Sequence, residues 1–426
     1  MIAEHAFERL LGLDEGWAVA GAEYEVEAPG RFILVVRETP KLWPKLTCPQ
    51  PTCGASGITC YDHAPTRSWR HLDAFGKKTE ILCEPPRGSC PSCGHVFRVP
   101  VPWEGEGKHF TRDFEAFALT LMREMPLAKA SDILGAHDTR LWRLLFAHVD
   151  KAYAALDLSQ LVHLGVDELS CRKGHDYLSV FADLVERRVV FAPEGKDHRT
   201  FERFAEEMLK HNGHPKAIEQ VAIDMSGAYT KGVRENLGNA AIVYDKFHVV
   251  ALANGAVDEV RRDEAREGGA ETKQQLKQSL WLWRKNPENL TAPEQARLDQ
   301  LDLKHLATGQ AYQVRLELQS IYRSRTVAKA RERWEDWIGW VRRKADRFGA
   351  LLTPMKRLAD TVEEHLEGVL AHWQEGLTTS FLEGLNSVFS AVKRKARGYR
   401  TSVYMITMLC FVAGKLAIPS MPAHSK

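Results

Sequence analysis

The chain has 426 residues, 44% of them apolar, and a formal net charge of +2. That length predicts more than one domain, each with enough chain for its own core. The near-neutral balance excludes a bulk electrostatic signature of a nucleic-acid partner, so any basic surface must come from local runs such as 321–334, 341–347 and "KRKARGYR" (393–400). The first residues, "MIAEHAFERLLGLDEG", put acids where a secretory leader would be positive. The longest apolar run, 403–414, falls short of the roughly 20 residues of a membrane span and reads as a buried helix. A cytoplasmic location follows as the expectation, and there clustered cysteines point to metal rather than to disulfides.

In chain order, residues 1–47 offer one clear strand, "RFILVVRE" (31–38). From Cys48 to about Val99 the chain is rich in Cys, Gly and Pro. Six of the eight cysteines fall between 48 and 93. "CPQPTCG" supplies Cys48 and Cys53, and "CPSCG" supplies Cys90 and Cys93, each pair followed by a glycine. Such turns let two thiolates reach one tetrahedral ion, so a closed, structural zinc site is expected. The first pair is wider than the second, and Cys60 or Cys83 could replace a ligand.

Residues 110–153 read as three helices, the first capped by Thr111 and the third by Asp138, with Gly135 breaking the second. Short helix, glycine turn and longer helix form a helix-turn-helix pattern, which a plain three-helix bundle would share. In the former, Thr139, Arg140 and Arg143 would meet DNA while Leu141, Leu144 and Leu145 pack inward.

Strands follow at 161–167, 177–184 and 187–193, then a helix at 199–210, a strand at 218–225, a helix at 228–237 and a strand at 240–245. That order predicts a mixed sheet, an antiparallel meander extended by parallel strands. Beyond Asp245 the pattern is helical, with a cap at Thr291. Trp334, Trp337 and Trp340 recur at the spacing of a core stripe.

The apolar run Val221–Ile223 delivers Asp224 to a strand tip, and "LGVDELS" does the same for Asp167, with Glu168 beside it. An isolated aspartate there caps a helix as readily as it serves chemistry. Two side by side repel unless a cation neutralises them, and Mg²⁺ suits that role. "TTSFLEGLNSVFSAVKRKARGYR" (378–400) is amphipathic: Phe381, Leu385, Val388, Phe389 and Val392 share one face, while Glu383, Ser387, Ser390, Arg394 and Arg397 line the other. Two strand-tip aspartates and a helix glutamate make a two-metal phosphoryl-transfer site plausible. Lys393, Arg394, Arg397 and Arg400 would then track a DNA backbone.

These residues also carry a resemblance. "GVDELSCRKGHDYLSV" (165–180), "AIDMSGAY" (222–229), "NAAIVYDKFHVV" (239–250), "RKNPENLT" (284–291) and "EGLNSVFSAVKRKARGYR" (383–400) resemble, in order, the blocks of the ISL-three family of insertion-sequence transposases, of the DDE group. The resemblance implies a multidomain α+β chain: an N-terminal segment (1–47), a zinc ribbon (48–103), a helix-turn-helix module (104–158), and a ribonuclease-H-like core (159–250 and 377–426) interrupted by an all-helical insertion (251–376). It implies Asp167, Asp224 and Glu383 as the catalytic, Mg²⁺- or Mn²⁺-binding triad, with Asp245 and His248 of "DKFH" supporting the site. The implied function is binding of terminal inverted repeats, followed by metal-dependent strand cleavage and strand transfer by at least a dimer on DNA. Two rivals stand beside it: a nuclease or resolvase of the same fold that cuts without joining, and a zinc-dependent DNA-binding regulator with an inactive core.

Overall fold

The computed structural model describes residues 2–27, 30–171, 177–238, 240–301, 305–373, 384, 387–393 and 399–421. The chain divides into two compact units, 1–155 with 416–426, and 156–415.

In the first unit, helix α1 (Ile2–Leu10) precedes the antiparallel strands β1 (Trp17–Glu25) and β2 (Arg31–Glu38). Strands β4 (Arg67–Ala74) and β5 (Lys77–Cys83) join them in the order β1-β2-β5-β4, with β5 parallel to β2. A second sheet has the order β3 (Thr59–His63), β6 (Pro86–Ser89), β7 (Val96–Arg98). Residues 1–47 are therefore not a segment apart from the cysteine module. The boundary expected at 47/48 runs through one sheet, built from two strands before Cys48 and two between the cysteine pairs. Parallel pairing of β2 with β5 requires that interleaving, and it buries Val36, Trp69 and Ile81 completely. Trp103 packs edge-on against Trp17 and Trp69, at 5.1 and 5.8 Å between ring centroids. Such pairs add about 0.5–1.5 kcal/mol each beyond the area they bury.

The turn between β4 and β5 is unusual. Ala74 pairs with Lys77, and the two residues between them, Phe75 (φ 54°) and Gly76 (φ 71°), are both left-handed. Glycine takes that conformation freely, whereas in an L-residue it costs roughly 1–2 kcal/mol. Three helices follow: α2 (Arg112–Glu124), α3 (Leu127–Leu134) and α4 (Asp138–Ala154). They are stitched together by Glu115. Its buried carboxylate accepts from Glu106 N and Gly107 N and lies 2.9 Å from Nε2 of His148 on α4.

The second unit holds, among the described residues, a five-stranded sheet ordered β10-β9-β8-β11-β12. Its strands are β8 (His163–Ser170), β9 (Tyr177–Asp183), β10 (Arg188–Phe191), β11 (Gln220–Ile223) and β12 (Ala241–Tyr244). β8, β9 and β10 form the antiparallel meander, and β11 and β12 run parallel to β8. Short turns permit the first arrangement; the crossover helices α5 (Arg199–Lys210) and α6 (Gly227–Asn236) permit the second. Phe204 of α5 stacks on Phe181 of β9 at 4.5 Å, and Phe201 meets Tyr229 of α6 at 5.4 Å. A Cβ on Gly232 would come within 2.5 Å of the Phe201 ring, so glycine is what lets α5 and α6 approach.

Every described element between β12 and residue 373 is helical. The α-helices there are α7 (Lys246–Glu267), α8 (Ala270–Leu276), α9 (Leu280–Arg284), α10 (Ala292–Asp299), α11 (Ala307–Ile321), α12 (Val327–Phe348), α13 (Thr353–Glu364) and α14 (Leu366–Leu370). Thr291 and Glu294 close a capping box at the start of α10. Trp334 and Trp337 are buried core residues, while Trp340 is half-buried with Lys344 over its ring. Glu264 of α7 accepts from Ala307 N, Thr308 N and Thr308 Oγ1, satisfying donors at the start of α11 that would otherwise be orphaned. Gly368 of α14 lies against the Tyr244 ring, and Tyr244 Oη is 3.2 Å from His365 Nδ1, so this segment closes over the edge strand β12.

A short helical stretch at 387–393 (α15) and the apolar helix α16 (Ser402–Ala413) complete the unit. No helix among the described residues is long and apolar enough to cross a membrane. Residues 416–421 belong to the first unit, where Met421 N donates to Thr120 Oγ1 of α2. The expected assignment of everything from 377 to 426 to the core is corrected to that extent.

Candidate active site and nucleic-acid interface

The register of the sheet sets the acid site. β8 and β11 pair Gln220 with His163 and Ala222 with Gly165, so two residues further on Asp224 stands level with Asp167. β11 and β12 pair Ile223 with Tyr244, which puts Asp245 at the same level on the far side of Asp224. Three neighbouring strands, about 4.8 Å apart, thus carry three aspartates at one level: Asp224 and Asp245 just past the ends of β11 and β12, and Asp167 within β8, which runs on to Ser170 rather than ending at the aspartate.

Their surroundings differ. Asp245 is buried and spends its carboxylate on capping α7, accepting from Phe247 N at 3.0 Å. That cap fixes the helix so that His248, in its first turn, brings Nε2 to 3.7 Å from Asp167 Oδ1. Asp167 Oδ1 accepts from Glu168 N at 2.7 Å, and Asp224 Oδ1 from Ser226 N at 3.0 Å. Burial raises the Asp224 carboxyl above the usual aspartate range. The charge of Asp167 adds to this, while the Ser226 amide, His248 and Lys196 oppose it. Burial likewise raises Glu168, with Asp224 and Asp167 adding to the effect. Lys196 Nζ lies 3.8 Å from Glu168 Oε2 and 4.0 Å from the Tyr177 ring centroid. Neither Lys196 nor the carboxylate role of Glu168 was expected from the sequence; a lysine in a polar loop carries no local signal.

Glu383, Arg394 and Arg397 lie outside the described residues. In α15, Phe389 and Val392 are buried and Ser387 and Ser390 exposed, as the amphipathic pattern expects. Lys393 donates from Nζ to the Ser170 carbonyl at 2.7 Å, tying α15 to the end of β8, three residues past Asp167. Lys393 is thus engaged within the protein, and Arg400 is exposed.

The four expected cysteines converge. Cys48 Sγ is 3.6 Å from Cys93 Sγ, Cys53 Sγ is 3.8 Å from Cys90 Sγ, and all four sulfurs lie within 4.8 Å of one another. Tetrahedral zinc with Zn–S bonds of about 2.3 Å demands S···S distances of about 3.8 Å, so the donor set fits the metal as it stands. Gly54 (φ 59°) and Gly94 (φ 71°) make the left-handed turns that close each knuckle. The Cys93 amide holds the Cys90 thiol down to about 7, whereas burial pushes Cys48 up to about 12. Four such sulfurs cannot all ionise without a cation between them. Cys60 and Cys83 stand apart from this four-sulfur cluster: Cys83 is buried in the first sheet, and Cys60 lies beside Glu38 and His63.

The helical module has the expected turn. Thr111 caps α2, accepting from Phe114 N. Gly135 (φ 58°) ends α3. The cap of α4 is His137 rather than Asp138: its Nδ1 accepts from Thr139 N, and Asp138 is already the first helical residue. Leu141, Leu144 and Leu145 are buried. Thr139 is half-buried and bonded to His137 and Asp138. Arg140 is exposed and lies over the Phe110 ring at 4.7 Å. Arg143 is exposed and has no hydrogen-bond or ion-pair partner among the described residues.

Comparison with known proteins agrees with this organisation. A family model described as a transposase matches residues 164–409, more than half of the chain. The helix-turn-helix domain of transposase family ISL3 matches 99–149. The zinc-finger of transposase IS204/IS1001/IS1096/IS1165 matches 47–93. The chain is 29% identical over 400 residues to the transposase for insertion sequence element IS1001 of Bordetella parapertussis, covering 92% of this chain and 94% of that one. It is 26% identical over 455 residues to the transposase for insertion sequence element IS1557 of Mycobacterium tuberculosis, covering 98% of each. With a zinc ribbon and a DNA-binding helix-turn-helix ahead of its transposase domain, the chain belongs to the ISL3 family of insertion-sequence transposases.

Proposed function

We propose that the chain recognises the terminal inverted repeats of its element and performs DDE-type strand cleavage and transfer there. The observation that carries this is that the register of the adjacent parallel strands β8 and β11 sets Asp224, just past the end of β11, level with Asp167 within β8, with the Asp224 carboxyl raised by burial and by its neighbour. The antiparallel meander extended by parallel strands supports a ribonuclease-H-like core, and the helices between β12 and α15 support a helical insertion within it. Crowded carboxylates fit Mg²⁺ or Mn²⁺, which when bound would supply charge neutralisation at the scissile phosphate.

Asp167 and Asp224 would hold the cations, with Glu383 as the proposed third acid. His248 orients Asp167, and Asp245 positions His248 by capping α7. In the first step water attacks the phosphorus at the element end, and the bond to the 3′-oxygen breaks to leave a 3′-hydroxyl. In the second, that hydroxyl attacks a target phosphate and a target 3′-oxygen departs. Neither step needs a covalent intermediate on the protein. Joining two ends requires at least two copies on DNA. The test is incubation with oligonucleotides carrying the element's termini, Mg²⁺ and a target duplex. Joined products are expected; cutting without joining would assign a nuclease, and binding without cutting a regulator.

A further inference from the structure

The β4–β5 hairpin ends in "DAFGKK" (73–78). Its two turn residues are both left-handed, the signature of a type I′ turn, in which asparagine, aspartate or glycine ordinarily takes the first place. Here that place holds Phe75, and the ring gains nothing from the fold, being 90% exposed. The chain thus tolerates backbone strain to hold a large apolar ring in water, two residues before exposed Lys77, whose Nζ lies 5.7 Å from the Tyr24 ring centroid.

The hairpin is fastened to the helix-turn-helix. Lys78 Nζ reaches the Gly135 carbonyl and Arg70 Nη2 the Leu134 carbonyl, each at 3.5 Å. Arg70 N donates to His109 O, and Thr111 N donates to Arg70 O, both at 3.0 Å. Arg70, Lys78, Gly135 and Arg140 line one cleft, so the hairpin stands beside the first turn of α4.

We propose that this hairpin is a DNA-binding wing: Lys77 contacts a phosphate beside the helix-turn-helix site, and Phe75 wedges between base steps from the minor groove. It rests on the reading that α4 docks on the element's terminal duplex. Apolar wedges of this kind unstack a step without reading its sequence, and an adjacent lysine holds the backbone. A second copy of the chain is a poorer occupant, because a symmetric contact through Phe75 would set lysines against lysines.

The test uses the full-length zinc-bound protein and a duplex carrying the element's terminal repeat, with 2-aminopurine placed at steps flanking the repeat. Asparagine suits the left-handed turn, so Phe75→Asn should raise the melting temperature while weakening binding about tenfold and removing the 2-aminopurine fluorescence rise. Lys77→Ala should lower the slope of log affinity against log salt by about one. Wild-type affinity and unchanged fluorescence in Phe75→Asn would overturn the wing, as would an effect of Phe75→Asn on sedimentation of the free protein in place of DNA affinity. Failure of the wild-type protein to bind the repeat would overturn the transposase reading and the wing with it. That result is distinct from a binding wild type with a silent variant.

Discussion

Replacing Asp224 with asparagine should make the magnesium-free protein more stable and inactive at once. Neighbouring parallel strands are about 4.8 Å apart, which sets the scale of the separation between the two carboxylates. Two unit charges at that distance repel by roughly 3 kcal/mol at an effective dielectric of about 20. Burial, the largest cause of the raised carboxyl, disfavours the charge as well, while the Ser226 amide, His248 and Lys196 favour it; a net penalty on the order of 1–2 kcal/mol is expected. The substituted amide side chain would keep an Oδ1 acceptor for Ser226 N while losing the charge. The sign with pH follows from the raised carboxyl. The penalty is absent below the unfolded aspartate's ordinary value. It grows as pH rises through the window up to the raised folded value, and it is in full force at neutral pH. Calorimetry of Asp224→Asn near pH 7 should therefore show the 156–415 unit melting about 2–8 °C higher than wild type. The gain should shrink on acidification, and added Mg²⁺ should stabilise only the wild type. A variant less stable than wild type at neutral pH, or one that still nicks DNA, would refute the reasoning.

The zinc site predicts that Cys90→Ser/Cys93→Ser loses terminal-repeat binding in an anisotropy titration while the 156–415 unit keeps its denaturation profile. Glu264→Gln should cost about 2–4 kcal/mol in a urea titration, because the amide places a donor against the buried N–H and O–H groups at the start of α11. Arg143→Ala should weaken binding to the repeat by about 1–3 kcal/mol, with the loss confined to the cognate sequence if the side chain reads a base edge.

What the sequence made legible was whatever local pattern dictates. Val221–Ile223 is apolar at every position because both faces of β11 are covered, and the run ends where Asp224 must be. The cysteine knuckles, the Gly135 break and the Thr291 cap each have a short-range chemical cause. What stayed hidden was non-local. Parallel pairing of Arg31–Val35 with Lys78–Leu82 leaves no mark in either segment, so residues 1–47 read as a loose end. β1, "WAVAGAEYE", is largely exposed along its second half and has no clean alternation to announce it. The cap of α4 went to His137 because its imidazole nitrogen can accept as a carboxylate does, an option that residue-type preference at caps obscures. Lys196 joins the acid site only because the chain leaving β10 continues along the start of β9, from which its side chain reaches Glu168 of β8.

The proposed function requires Asp167, Asp224 and Glu383 to gather around the same cations. Substituting Fe²⁺ for Mg²⁺ and generating hydroxyl radicals would cut the polypeptide wherever the metal sits. Cleavage clustered near 167, 224 and 383, suppressed by excess Mg²⁺ and lost in Asp224→Asn, is the predicted result. Cuts near 167 and 224 with none near 383, or cuts that Mg²⁺ does not suppress, would contradict it.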